Sequence, residues 1–126
     1  MSSHMQRTRA ELKKRGIINQ IVERYFPKSR RYPFGCKEDF LNIIDLIALD
    51  DGILGIQICG SDYQSHVRKI REQKTNTIAW LKSGGRFEIH SWRKYLKKRG
   101  GKAKEWRCKI TDVLLHDGEI YFDERK

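Results

Sequence analysis

Two polar residues interrupt apolar segments of this sequence and could do chemistry together. Asp45 lies in the run formed by residues 40–49, and Gln57 is the strongly polar residue of the run formed by residues 53–59. A carboxylate inside an apolar strand is costly unless it is paired or binds a metal ion. The pattern therefore indicates either a buried Asp–Gln hydrogen bond or part of a metal site.

The segment between these runs predicts how the two residues meet. The sequence Asp-Asp-Gly at residues 50–52 is typical of a hairpin turn. A turn there pairs Asp45 with Gln57 on one face of the sheet, with the two Cβ atoms about 5 Å apart. Asp39 has the same strand parity as Asp45 and can approach that face. Two carboxylates and an amide oxygen form an oxygen-ligand set, which favours Mg²⁺ or Mn²⁺ over zinc.

The elements that must position these residues begin with a helical pattern. Thr8 and Glu11 have the spacing of a capping box, and apolar residues follow at helical spacing. We expect either one helix or two short ones as far as Tyr25, interrupted at Gly16 and ended by Pro27.

The rest of the chain predicts an α/β fold. We expect a loop at 28–38, buried strands at 40–49 and 53–59, helices at 62–73 and 77–82, a strand at 86–92, and a C-terminal hairpin within 105–122. These elements form a central mixed sheet with flanking helices. Residues 1–4 resemble a vector-derived remnant, so we expect one domain over residues 5–126, with its core at about 17–92.

Positive charge is concentrated in two segments of the chain. The 126 residues carry a net charge of +11. Residues 7–31 hold nine basic and two acidic residues, and residues 93–109 hold nine basic and one acidic residue. Two segments of this density predict a polyanionic partner, of which nucleic acid is the commonest.

Aromatic residues are interleaved with the second basic segment, as in surfaces that stack bases beside phosphate contacts. Trp92 or Trp106, but not both, is expected to be such a stacking residue. We expect the following residues to bind nucleic acid, with DNA as the favoured partner: Arg30, Arg31, Trp92, Arg93, Lys94, Lys97, Lys98, Arg99, Lys102, Lys104 and Arg107.

Several classes of protein are excluded by composition. No apolar run approaches the roughly 18–20 residues that span a bilayer, and the basic N-terminus lacks the apolar segment of a signal peptide. The three cysteines are an odd number at wide spacing, which fits neither a disulfide framework nor a zinc site. We therefore expect an intracellular protein of the cytoplasm or nucleoid, or of the host cytoplasm if it is viral.

The order of a helix, a strand with Asp45, a turn, a strand with Gln57, a helix and a strand resembles the PD-(D/E)XK nuclease superfamily. Within that superfamily it is most similar to small resolvase-type and VRR-type nucleases, over residues 17–92. The resemblance implies a restriction-endonuclease-like core in which Asp45 binds the metal and Gln57 takes the second acidic position. It also implies that a glutamate of the first helix, Glu23, approaches the metal.

One departure from the family pattern affects catalysis. The family has a lysine two residues after the Glu or Gln, where this chain has Cys59. Lys69, on the following helix, is the candidate replacement. The resemblance thus implies catalysis by Asp45, Gln57 and Lys69. The Mg²⁺ or Mn²⁺ ligands that it implies are Asp39, Asp45, Gln57 and Glu23.

Three functions are consistent with these patterns. The first is a metal-dependent DNA endonuclease that holds the backbone through its basic segments, with branched DNA such as a four-way junction as a substrate. The second is a catalytically inactive nuclease-fold module that binds DNA. The third is a domain that binds an acidic protein. For junction cleavage the resemblance implies a symmetric homodimer.

Overall fold

Three helices pack against a six-stranded mixed sheet in the computed structural model, which describes residues 3–125. The elements in chain order are α1 (His4–Lys14), β1 (Ile18–Ile21), β2 (Arg24–Phe26), β3 (Cys36–Glu38), β4 (Leu46–Leu49), β5 (Ile53–Cys59), α2 (Tyr63–Glu72), α3 (Lys74–Lys82), β6 (Arg86–Leu96), β7 (Lys104–His116) and β8 (Glu119–Glu124).

The sheet has the strand order β1-β4-β5-β6-β7-β8, and β2 and β3 form a separate two-stranded hairpin. Strands β5 and β6 are parallel, and the other neighbours in the sheet are antiparallel. The expected α/β fold with a central mixed sheet, flanking helices and a C-terminal hairpin is confirmed. Among the described residues, no helix is long and apolar enough to cross a membrane.

The predicted first helix is wrong in both of its boundaries. Helix α1 begins at His4, because Ser3 caps it in a reciprocal pair of hydrogen bonds with Gln6. It ends after Lys14, where the amides of Gly16 and Ile17 donate to carbonyls of the last turn and Gly16 has φ +70°. This is a Schellman ending, and β-branched residues after it favour strand β1 over a longer helix.

The N-terminal remnant expected at residues 1–4 is therefore partly integrated into the fold. Ser3 supplies the helix cap, and the His4 ring lies edge-on against Trp106 with 5.2 Å between ring centroids. Met1 and Ser2 lie outside the described residues.

The predicted strand at residues 40–49 is shorter in the structure. Only Leu46–Leu49 form the strand, and the chain before it turns back through Leu41 and Asn42, which have φ values of 54° and 61°. Phe40 and Ile44 close this turn with an isolated bridge. The turn matters for the site because it brings Asp39 back beside the start of β4.

The loop expected at residues 28–38 is instead partly strand. Cys36–Glu38 pair with Arg24–Phe26 to make the β2–β3 hairpin, whose tip carries Arg30 and Arg31. The predicted positions of β5, α2, α3 and the C-terminal hairpin are confirmed within a few residues.

Apolar cores form on both faces of the sheet. Helices α2 and α3 cover one core, which includes Ile43, Ile44, Ile70, Phe87 and Ile89. Helix α1 covers the second core through Leu12, which packs with apolar residues of β4 and β5. The side chains of Gln57 and Cys59 lie on the α2 face, because residues alternate between the two faces along β5.

Strands β6 and β7 are longer than their neighbours and extend past them. The pairing of β6 with β5 stops at Ser91, and the pairing of β7 with β8 stops at Thr111. Beyond these positions β6 and β7 pair only with each other, as far as Leu96 and Lys104. We call residues 93–107 the basic ribbon. The segment expected at 93–109 is thus mostly the end of one long hairpin.

Candidate metal centre and nucleic-acid interface

Asp45 and Gln57 lie side by side, as the turn at residues 50–52 predicts. Leu46 pairs with Ile56, and the register continues with the Asp45 amide donating to the Ile56 carbonyl at 2.9 Å. The Gln57 amide group donates to Asp45 Oδ2 at 2.7 Å, and the backbone N–H of Ile58 donates to the same oxygen at 2.9 Å. The predicted buried hydrogen bond is therefore present, and it holds both side chains in place.

This hydrogen bond leaves two buried oxygens unsatisfied. With Asp45 ionised, Asp45 Oδ1 and Gln57 Oε1 have no hydrogen-bond partner among the described residues, although both side chains are almost fully buried. A buried acceptor without a partner costs free energy. A cation bound beside the pair would satisfy both oxygens. The Asp–Gln hydrogen bond alone leaves both of them without a partner.

Two further carboxylates come to the same place. One oxygen each from Glu23, Asp39 and Asp45 lie within 4.8 Å of one another. Asp39 arrives from the turn before β4. The predicted position of Glu23 on a helix is wrong: it follows β1, where its amide and that of Val22 donate to the Asp45 carbonyl at 3.3 and 2.9 Å. We refer to Glu23, Asp39, Asp45 and Gln57 as the acidic cluster.

Two lysines contact the acidic cluster. Lys69 of α2, the candidate named from the sequence, forms a salt bridge and hydrogen bond with Asp39. Lys37 of β3 was not singled out from the sequence. Its Nζ lies 2.9 Å from Glu23, 3.8 Å from Asp39 and 3.9 Å from Asp45.

Lys37 reaches the acidic cluster only because the β2–β3 hairpin folds its own strand across it. The available sequence signal is that Lys37 has the same strand parity as Asp39, although Lys37 lies in a segment interpreted as a loop.

Burial and charge shift the pKa values of these groups in opposite directions. Burial, followed by the neighbouring Asp39, raises the pKa of Asp45 to about 8. Burial alone would raise the pKa of Asp39, but its contacts with Asp45 and Lys69 hold it below the usual value. Burial opposes the charge of Lys37, yet the contact with Glu23 raises its pKa. Near neutral pH and without metal, Asp45 is therefore the carboxyl group that keeps a proton.

Cys59 lies two residues after Gln57, where the resemblance implies a lysine, and it cannot supply a lysine's positive charge. The residue is buried on β5, and burial raises the pKa of its thiol to about 11. A thiol with that pKa is neutral at physiological pH. It is therefore a poor nucleophile, because the thiolate is the reactive form.

The expected nucleic-acid residues are exposed in the structure, with one exception. Every residue from Arg93 to Gly100 is exposed, as are Lys102, Lys104 and Arg107. Arg30 and Arg31 are exposed at the tip of the β2–β3 hairpin.

Trp92 is the exception, and its prediction as an exposed stacking residue is wrong. It is 7% exposed, and its indole N–H donates to Thr8 at 2.8 Å. It has no free face for a base. Trp106 is half-exposed, but Arg7 lies 3.7 Å from its ring centroid and covers one face.

Comparisons with known proteins neither support nor contradict the nuclease resemblance. No family model matches this sequence, and no curated protein and no solved structure is significantly similar to it.

Proposed function

We propose that this chain is a metal-dependent DNA endonuclease that uses the acidic cluster as its metal site. The observation that carries the proposal is that Asp45 Oδ1, when Asp45 is ionised, and Gln57 Oε1 are buried without a hydrogen-bond donor among the described residues, while the carboxylates of Glu23 and Asp39 lie close to that of Asp45. Oxygen donors from carboxylates and an amide are the ligands that Mg²⁺ and Mn²⁺ prefer. The residues present therefore fit such an ion.

The roles of the chain's own residues follow from this arrangement. Asp39, Asp45, Gln57 and Glu23 would hold the ion, and the bonds from Gln57 and the Ile58 amide orient the Asp45 carboxylate. A divalent cation in this position lowers the pKa of bound water and neutralises charge on a phosphate. Binding requires the ionised carboxylate, so Asp45 must release its proton first.

Lys37 and Lys69 supply the positive charge that Cys59 cannot. Both ammonium groups contact the acidic cluster, and both side chains are partly exposed, with 53% and 40% of their surface accessible. They can therefore reach a phosphate at the mouth of the cluster. Lys69 extends from the α2 face, whereas Lys37 comes from the β2–β3 hairpin that also carries Arg30 and Arg31.

A binding-only module is the second candidate, and the position of Lys37 favours it. Its ammonium lies among the three carboxylates, where it neutralises part of the charge that would attract an ion. If Lys37 holds this position permanently, the chain keeps the DNA-binding surface and lacks the reaction.

Cleavage of labelled DNA separates these two candidates. Duplex, single-stranded and four-way-junction DNA are incubated with the protein in Mg²⁺, in Mn²⁺ and in EDTA, with Asp45→Asn as the matched variant. The nuclease proposal expects cleavage that depends on metal and on Asp45. DNA binding without cleavage in any metal would establish the binding-only module. Sedimentation of the junction complex tests the symmetric homodimer that belongs to the same proposal.

A further inference from the structure

The basic ribbon extends from the edge of the sheet that carries the acidic cluster. Gln57 pairs with Ile89 and Cys59 pairs with Ser91, so the ribbon begins directly beyond the level of the cluster. Leu96, the last paired residue of β6, lies five positions after Ser91. At about 3.3 Å per residue, the paired part of the ribbon reaches about 17 Å past that edge.

Positive charge covers both faces of the ribbon. Because side chains alternate along a strand, Arg93 and Arg107 lie on the face shared with Gln57, and Lys94 and Lys104 lie on the opposite face. The acidic residue of the ribbon, Glu105, lies on the same face as Arg93 and forms a salt bridge to Arg107 at 2.8 Å, so Arg93 carries the net positive charge of that face. Further cations occupy the connecting loop: Lys97, Lys98, Arg99 and Lys102.

The direction of the ribbon is fixed at its base. Trp106 packs between cations, with Arg7 of α1 at 3.7 Å and Lys94 at 5.2 Å from its ring centroid, and the His4 ring meets its edge. On the same face, Trp92 bonds to Thr8 of α1. Helix α1 therefore anchors the ribbon, so that less ordering is needed when it meets a partner.

We propose that the basic ribbon inserts into the major groove of B-form duplex DNA beside the acidic cluster. A two-stranded ribbon fits the major groove, which is about 12 Å wide, whereas the minor groove, at about 6 Å, is too narrow. Cations on both faces then meet the phosphates of both groove walls. The inference rests on the proposed DNA substrate, and it adds duplex structure and the groove of entry.

The reach of the ribbon sets the spacing of its contacts. Base pairs are stacked about 3.4 Å apart along the helix axis, so a reach of about 17 Å spans at most about five base pairs. The tip residues Lys97, Lys98 and Arg99 would therefore meet the duplex within about half a helical turn of the phosphate at the acidic cluster.

The test measures DNA affinity in EDTA, where cleavage does not interfere. The tip variant carries Lys97→Gln, Lys98→Gln and Arg99→Gln. The matched control removes the same charge with Lys13→Gln, Lys14→Gln and Lys82→Gln, which are exposed at the opposite end of the sheet. Binding is measured against salt on a plain duplex, on a duplex with glucosylated 5-hydroxymethylcytosine blocking the major groove, and on single-stranded DNA.

Insertion predicts three results. The tip variant flattens the log–log salt slope on duplex DNA by about 2–3 units, and the control variant does not. The major-groove block weakens wild-type binding by about tenfold or more, the factor expected for losing one good groove contact. A second variant, in which an Asn-Gly turn joins Tyr95 directly to Glu105, loses the same sensitivity to the block.

Other results overturn the inference. Equal wild-type affinity for blocked and plain duplex would exclude the major groove. Equal slopes for the tip and control variants would show that only net charge matters. Binding of single-stranded DNA without binding of duplex DNA would contradict insertion of the ribbon, and cleavage of single-stranded DNA in the separate Mg²⁺ assay would then leave the proposed nuclease intact. A wild-type protein that neither binds DNA in EDTA nor cleaves it in Mg²⁺ would contradict both proposals.

Discussion

Asp45→Asn is expected to remove a pH dependence from the stability of the metal-free protein. The pKa of Asp45 is raised to about 8 in the fold by burial and by Asp39, and an unfolded Asp titrates at about 3.9. Between these values the unfolded state binds fewer protons than the folded state. The free energy of unfolding therefore falls as pH rises, by up to about 1.4 kcal/mol per pH unit.

The fall in stability that Asp45 causes occupies a pH range that its neighbours Asp39 and Lys37 do not share. The Asp45 contribution is fully present below about pH 3.9 and is lost as pH rises through the folded pKa of about 8. Asp39, whose pKa is lowered, acts below that window, and Lys37, whose pKa is raised, acts above it. From pH 5 to pH 7 the expected loss of stability from Asp45 is about 2–3 kcal/mol.

The asparagine variant keeps the geometry and loses the proton. Its amide oxygen can accept the bonds that Gln57 and the Ile58 amide now donate to Asp45 Oδ2. Its NH₂ group replaces the unpartnered Oδ1 and can donate toward Asp39. The variant should therefore be more stable than the wild type at pH 7 and should lose the fall in stability that Asp45 causes between pH 5 and pH 7.

Urea unfolding in EDTA, followed by tryptophan fluorescence from pH 4.5 to pH 8, measures this effect. Asp51→Asn is the control, because it makes the same substitution at an exposed position of the β4–β5 turn. A wild-type profile that is flat, or a slope that persists in Asp45→Asn, would refute the assignment of the buried proton. At a hundredfold excess over its Kd, Mg²⁺ should stabilise the wild type by about 2.7 kcal/mol and so raise its melting temperature. The melting temperature of Asp45→Asn should not change.

Four further predictions test the site and the base of the basic ribbon. Lys69→Ala should lower metal-dependent cleavage by about 10²–10³-fold with little change in DNA affinity, and unchanged single-turnover rates would remove Lys69 from the mechanism. Lys37→Ala should lower the melting temperature in EDTA, because the carboxylates lose their counter-ion, and Mg²⁺ should restore the melting temperature of this variant. A decrease that Mg²⁺ does not reverse would contradict this. Thr8→Val should cost about 1–3 kcal/mol in urea unfolding, since it leaves the buried Trp92 N–H unpaired. Cys59 should resist alkylation at pH 8 until the protein unfolds, and rapid native-state labelling would contradict its burial.

The central part of the site was predictable because its geometry is local. The Asp-Asp-Gly turn at 50–52 sets the register of β4 against β5, and that register alone places Asp45 beside Gln57. Asp39 was also found by its spacing from Asp45. It reaches the site through the Leu41–Asn42 turn, and not along a continuous strand as the apolar run suggested.

The rest of the site depends on contacts between distant segments, which periodicity does not encode. Lys37 contacts the cluster because the β2–β3 hairpin folds over the start of β4, whereas Glu23 joins it because the chain after β1 hydrogen-bonds to the Asp45 backbone. The helical spacing of Ile17, Ile18 and Ile21 hid strand β1. In hindsight Gly16 signalled the end of the helix, because glycine adopts the positive φ of a Schellman ending without strain.

The charged groups in and around the acidic cluster explain how the cluster is stable without metal and can still suit the proposed ion. With Asp45 protonated, Glu23 and Asp39 are balanced by Lys37 and Lys69, so the metal-free cluster carries little net charge. Holding a divalent ion there would require Asp45 to release its proton, and the charge of the ion would repel the Lys37 ammonium from the carboxylates. In the proposed nuclease, that ammonium could then contact a DNA phosphate. Metal affinity should therefore rise with pH up to about 8, and an affinity independent of pH would separate the ion from Asp45.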